Sequence, residues 1–81
     1  MKTGRHYAKK WLEKATKTEF NQTIEESNCS DEMREIAFLK LIKKESYISL
    51  SLKYHCSPEH IRDVMRGVYD KVYKVIKGGL I

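Results

Sequence analysis

The stretch Tyr47-Ile48-Ser49-Leu50-Ser51-Leu52-Lys53-Tyr54-His55-Cys56-Ser57-Pro58-Glu59-His60-Ile61-Arg62 admits two readings, and the choice between them decides the fold. Ile48, Leu50, Leu52 and Tyr54 alternate with Ser49, Ser51 and Lys53 in the two-residue period of a strand. A lone strand leaves its backbone N–H and C=O groups without partners, and no second strand is legible elsewhere in the chain. Tyr47, Leu50 and Tyr54 also share one helical face, so the stretch reads as a short helix.

Working outward, Ser57 is placed to cap a helix whose first position is Pro58, where no N–H is needed, with Glu59 in the first turn beside the positive end of the helix dipole. Ile61, Val64, Met65, Val68, Val72, Val75 and Ile76 recur at three- and four-residue steps until Gly78, which predicts a helix about 30 Å long. Upstream, Ser30 with Asp31 and Glu32 marks another helix start, and Met33, Ile36, Ala37, Phe38, Leu39, Leu41 and Ile42 make that helix apolar almost all round, as expected of a central element. Phe20 and Ile24 suggest a helix from Thr18, read as its cap, to about Asn28. Tyr7, Ala8, Trp11, Leu12 and Ala15 keep helical spacing from near Thr3. The expectation is one all-α domain of four to five helices over residues 1–81. It divides into a basic helical segment at 1–29, a helix-turn-helix unit at 30–77 with the long final helix, and a tail at 78–81.

A short helix, a turn at His55-Cys56 and a Ser-Pro-started second helix compose a helix-turn-helix, whose second helix can enter the DNA major groove. Leu50, Tyr54, Cys56, Ile61 and Val64 stand at the offsets that a steep helix crossing needs, and Ser51 is the small residue at the close approach. The chain from Asp31 to about Lys77 resembles the fourth region of bacterial sigma factors, above all the small stand-alone versions found in Firmicutes phages and mobile elements. The resemblance is carried by Ser46-Tyr47, Leu50-Ser51, Ser57-Pro58-Glu59-His60-Ile61-Arg62 and Tyr69-Asp70-Lys71-Val72. His55 replaces the family's turn glycine, Lys44-Glu45 its Gly-Leu pair, and Ser51 its alanine; histidine tolerates a positive φ better than branched residues do. The resemblance implies sequence-specific binding to double-stranded DNA in transcription control.

On the second motif helix, Pro58, Glu59, Arg62, Asp63 and Arg66 point away from the apolar stripe and towards a groove. Arg62 and Arg66 can fork onto guanine or phosphate acceptors, while Lys53 and Ser57 can hold phosphates. Asp63 and Glu59 repel a DNA backbone unless they accept from a cytosine amine or brace an arginine. The first helix adds Arg5, Lys9, Lys10, Lys14 and Lys17 beside Tyr7 and Trp11, with Trp11 read as core. These basic groups suit additional backbone contacts, a membrane surface, an acidic protein surface such as RNA polymerase, or only a solvated face.

The 81 residues are 41% hydrophobic and 33% charged with net charge +5, enough apolar content for one modest core and a bias towards acidic partners. The bias is uneven: net +4 over residues 1–20, −2 over 21–45 and +3 over 46–81. Two cysteines are too few for a disulfide framework, the start has no signal-peptide core, and no apolar run reaches the roughly 18 residues of a membrane helix, so a cytoplasmic protein without a membrane role is expected. Cys56 and His60, with His55 and distant Cys29, lack paired metal-ligand spacing, so no metal or cofactor is expected. Glu25-Glu26 and Asp31-Glu32 diverge on a helix and no nucleophile has a base partner, so no catalytic residue is assigned and an enzyme is not expected. The competing reading is a protein-interaction adaptor, including one that binds RNA polymerase. Ile61, Met65, Val68, Val72 and Val75 follow a 4-3-4-3 spacing that either the first helix covers within a monomer, the favoured arrangement, or a second copy covers in a homodimer.

Overall fold

The computed structural model describes residues 2–79 and resolves the contested stretch as helix. Five helices follow one another: α1 (Lys2–Lys14), α2 (Lys17–Glu26), α3 (Asp31–Leu41), α4 (Tyr47–Lys53) and α5 (Pro58–Gly79). No strand occurs among the described residues. In α4, Leu50 is fully buried while Ile48 and Leu52 are 65% and 73% exposed, a division that a strand's alternation would not make.

Ser or Thr starts four of the helices. The Ser30 and Ser46 hydroxyls accept from the N–H groups of Met33 and Ser49, and Ser57 accepts from His60 N–H at 3.1 Å. At α2 the cap is Thr16 rather than Thr18: Thr16 accepts from Glu19 N–H while the Glu19 carboxylate accepts from Thr16 N–H, a reciprocal box that starts the helix earlier than expected. Three exits pass through left-handed residues, Asn28, Lys44 and His55, none of them glycine. At His55 (φ 57°) the chain reverses with Cys56 N–H donating to the Ser51 carbonyl at 2.9 Å, the long bond of a Schellman turn. α5 continues through Gly78 and Gly79, so the expected tail at 78–81 starts too early; Leu80 and Ile81 lie outside the described residues.

The centre of the molecule is α5 rather than α3, since every other helix packs on it. Ile61, Met65, Val68, Tyr69, Val72 and Ile76 of α5 are buried. Against them lie Ala8 and Leu12 of α1, Phe20 and Ile24 of α2, Ile36, Ala37 and Leu41 of α3, and Leu50 of α4. The seam runs to Ile76 instead of Val75, because an undistorted helix of 3.6 residues per turn drifts off a strict seven-residue repeat. α1 covers this seam within the monomer. Gly4 permits the approach: a Cβ there would sit 3.2 Å from the Tyr73 ring. Tyr7 meets Tyr73 edge to face with centroids 6.1 Å apart. Trp11 is only half-buried on this helix and lies at the edge of the core instead of inside it. Where α4 meets α5, Ser51 is buried and satisfies its hydroxyl on the Ile48 carbonyl at 2.7 Å, so a small polar side chain costs no unpaired group at the close approach.

Candidate nucleic-acid interface

The first three turns of α5 present one face to the core and the other to solvent. Ile61 and Met65 are buried, whereas Glu59, Arg62, Asp63 and Arg66 are exposed and together line a shallow, polar concavity. Pro58 departs from the expected outward set, being half-buried where α5 begins. Ser57 is exposed, and its oxygen is already an acceptor for the His60 N–H, which leaves its hydroxyl hydrogen for an outside acceptor. Lys53 is exposed in the last turn of α4, across the turn from Ser57.

One of the two acidic residues on this face, Asp63, holds an arginine in place. Arg66 donates to the Asp63 carboxylate at 2.8 Å across one helical turn, with both side chains more than half exposed. A solvated pair of this kind adds little stability, and its effect is to limit the arginine's conformations. Arg62 is held differently, by a cation–π contact: its guanidinium carbon lies over the Tyr47 ring, 5.3 Å from its centre. The Lys40 ammonium lies 4.9 Å from the same centre. Neither Lys40 nor Tyr47 stands out in the sequence as a site residue. Lys40 reads as part of a basic stripe with Lys43 and Lys44, and only the packing of α3 beside α4 brings it to Tyr47.

On α1, Arg5 is engaged within the molecule. Its guanidinium donates to both Asp70 carboxylate oxygens at 2.9 and 3.2 Å, and these hydrogen bonds hold the Asp70 carboxyl below its ordinary range. Arg5 thus ties α1 to α5 while remaining exposed. Lys10 and Lys14 are exposed and flank a mostly apolar groove with Tyr7 and Trp11. Lys17 is exposed, with its ammonium 5.8 Å from the Phe38 ring centre.

Tyr54 closes the back of the turn by donating to the Glu35 carboxylate of α3. Burial and the Glu35 charge push its hydroxyl above the ordinary tyrosine range, and burial does the same to Tyr69. Cys29 is buried beside the Ser27 hydroxyl at 3.0 Å, and Cys56 is half-buried against the core. Among the described residues no group of three or more His, Cys, Asp or Glu side chains converges as metal ligands would. No described helix is long and apolar enough to cross a membrane. No family model, curated protein or solved structure matches the chain.

Proposed function

We propose that the chain is a sequence-specific DNA-binding transcriptional regulator in which α4, the His55 turn and α5 act as a helix-turn-helix of the sigma region-4 kind. The observation that carries the reading is the exposed Glu59-Arg62-Asp63-Arg66 face at the start of α5, held in register by the buried Ile61 and Met65 behind it. A face of this width, rigidly backed and led by a capped helix start, suits insertion into a major groove. Arg66 braced by Asp63 serves as the base-reading side chain, Ser57 and Lys53 hold phosphates at the rim, and the exposed lysines of α1 add long-range attraction. With α1 covering the α5 seam, the protein acts as a monomer. Selection of bound fragments from a random duplex pool tests the proposal: an enriched sequence motif, with affinity falling steeply as salt rises, is the expected result. Recovery of unselected sequences would refute sequence-specific reading.

A second reading, an adaptor docking on RNA polymerase or another protein, draws on a different surface. The Tyr7-Trp11 groove flanked by Lys10 and Lys14, and the exposed Ile48 and Leu52 of α4, are apolar areas that DNA contact does not use. The two readings separate on duplex DNA, which a pure adaptor leaves unbound. Both functions can also reside on one chain.

A further inference from the structure

We propose that Lys40 and Arg62, gathered on the ring of Tyr47, form a binding site for a DNA backbone phosphate, so that α3 takes part in the interface and Arg62 serves the backbone and not a base. The inference rests on the DNA-binding reading above and adds a ligand and a partner helix to it. Three separate elements meet here: Lys40 in the last turn of α3, Tyr47 at the first position of α4, and Arg62 in the second turn of α5. The two cations stand 4.9 and 5.3 Å from one ring centre, which places them no more than about 10 Å apart. Like charges within that range repel weakly through water, and the ring's negative face offsets part of that cost.

No carboxylate among the described residues forms an ion pair with either cation. Among the described residues the ion pairs are Arg5 with Asp70 and Arg66 with Asp63, and neither includes Lys40 or Arg62. Glu59 shares the exposed face with Arg62 but forms no ion pair with it. Asp63, the other carboxylate on that face, is taken by Arg66.

A cation–π contact also leaves the donors that matter available. A guanidinium carries five N–H donors in a planar fork that fits two phosphate oxygens, and attraction to the ring's π face takes up none of them as a conventional hydrogen bond. The Lys40 ammonium likewise keeps N–H donors directed away from the ring. Tyr47 is itself half-buried against the core, so the platform is fixed and the cations lose less side-chain freedom on meeting a ligand. Tyr47 acts here as a positioning residue, and its ring is what matters, not its hydroxyl.

The test uses the full chain and a random-sequence duplex, with affinity followed by fluorescence anisotropy between about 50 and 200 mM salt. Lys40→Gln should weaken binding to every sequence alike and lower the slope of log K against log salt by about 0.9, the value for one lost phosphate contact. Tyr47→Leu should weaken binding in the same sequence-independent way, and Tyr47→Phe should retain wild-type affinity and slope. Thermal melts of each variant verify that the fold persists, and Lys40→Gln carries the test if Tyr47→Leu does not fold. An unchanged slope in Lys40→Gln, with Arg66→Ala still impairing binding, would overturn the phosphate site and leave the DNA-binding reading standing. A sequence-selective loss in Arg62→Ala would overturn its backbone role. Binding of inorganic phosphate, seen as chemical-shift changes at Tyr47, without any duplex binding would overturn both.

Discussion

Leu50 and Leu52 are chemically identical, two positions apart, and placed by the structure in opposite environments: 0% and 73% exposed. Truncating each to alanine therefore measures the helical register of the stretch that decides the fold. Leu50→Ala removes three buried carbons, worth about 2.4 kcal/mol at roughly 0.8 kcal/mol each. The unfilled space left in the core raises the cost to about 3 to 4 kcal/mol. For a domain of this size each kcal/mol shifts the melting temperature by about 4 to 8 °C, so a fall of at least about 12 °C is expected. A chain of this length holds only about 4 to 12 kcal/mol in total, so the variant stands near the edge of stability. Leu52→Ala should change stability by less than about 0.5 kcal/mol, as exposed substitutions do. Urea unfolding followed by far-ultraviolet circular dichroism, with thermal melts alongside, reads both. Equal losses at the two positions would refute the helical register, because only a strand turns Leu50 and Leu52 to the same face.

Other perturbations probe separate parts of the structure. His55→Gly should raise stability by about 1 kcal/mol in urea unfolding, since the left-handed turn residue then carries no Cβ penalty; a loss would mean that the imidazole holds the turn in some other way. Deleting residues 2–16 should uncover Val68, Val72 and Ile76 and yield an unfolded or aggregating chain by sedimentation and dichroism, while the intact protein sediments as a monomer. A stable dimer of the intact chain would refute this. In a spectrophotometric titration Tyr54 and Tyr69 should ionise well above the ordinary value of 10.0, and denaturant should abolish the delay. Because the folded state raises these values, the associated stability is present below pH 10 and is lost as pH rises through the folded value, and Tyr54→Phe should diminish that alkaline loss. Arg66→Ala should cost about 1 to 3 kcal/mol on a preferred duplex and relax selectivity, whereas Lys10→Ala and Lys14→Ala should weaken all duplexes equally.

The parts of this fold that are legible in the sequence are those governed by local rules. Ser30 and Ser57 announce their helices because the cap and the first-turn carboxylates lie within a few residues of each other. Thr16-Lys17-Thr18-Glu19 carries the same kind of signal, but two threonines compete for the cap. Only the spacing of three to Glu19 selects Thr16. The contacts that are not legible are set by how helices lie against one another. Arg5 and Asp70 are 65 positions apart, and no local pattern pairs them. Tyr47 reads equally well as an apolar face residue, and its role as a platform for Lys40 and Arg62 exists only once α3, α4 and α5 have met. The hub reads wrongly for a related reason: α3 is apolar on several sides, yet α5 is long enough to receive all four other helices, and length decides.

The outward face of α5 was nonetheless legible, and the reason bears on function. Arg62 and Arg66 each follow a buried residue, Ile61 and Met65, and one residue along a helix is a rotation of about 100°. The core therefore sets the angular position of both arginines, and no loop intervenes to blur it. Their immediate surroundings then divide them. Asp63, one turn before Arg66, holds that guanidinium over the α5 face, while the Tyr47 ring draws Arg62 towards α4 and α3. Under the proposed DNA-binding function, two arginines a single turn apart on one helix would meet different ligands, Arg66 a base in the groove and Arg62 the backbone beside it. That function calls for such a division, because phosphate contacts fix a helix's register and orientation on the duplex but carry no sequence information, which only base contacts supply.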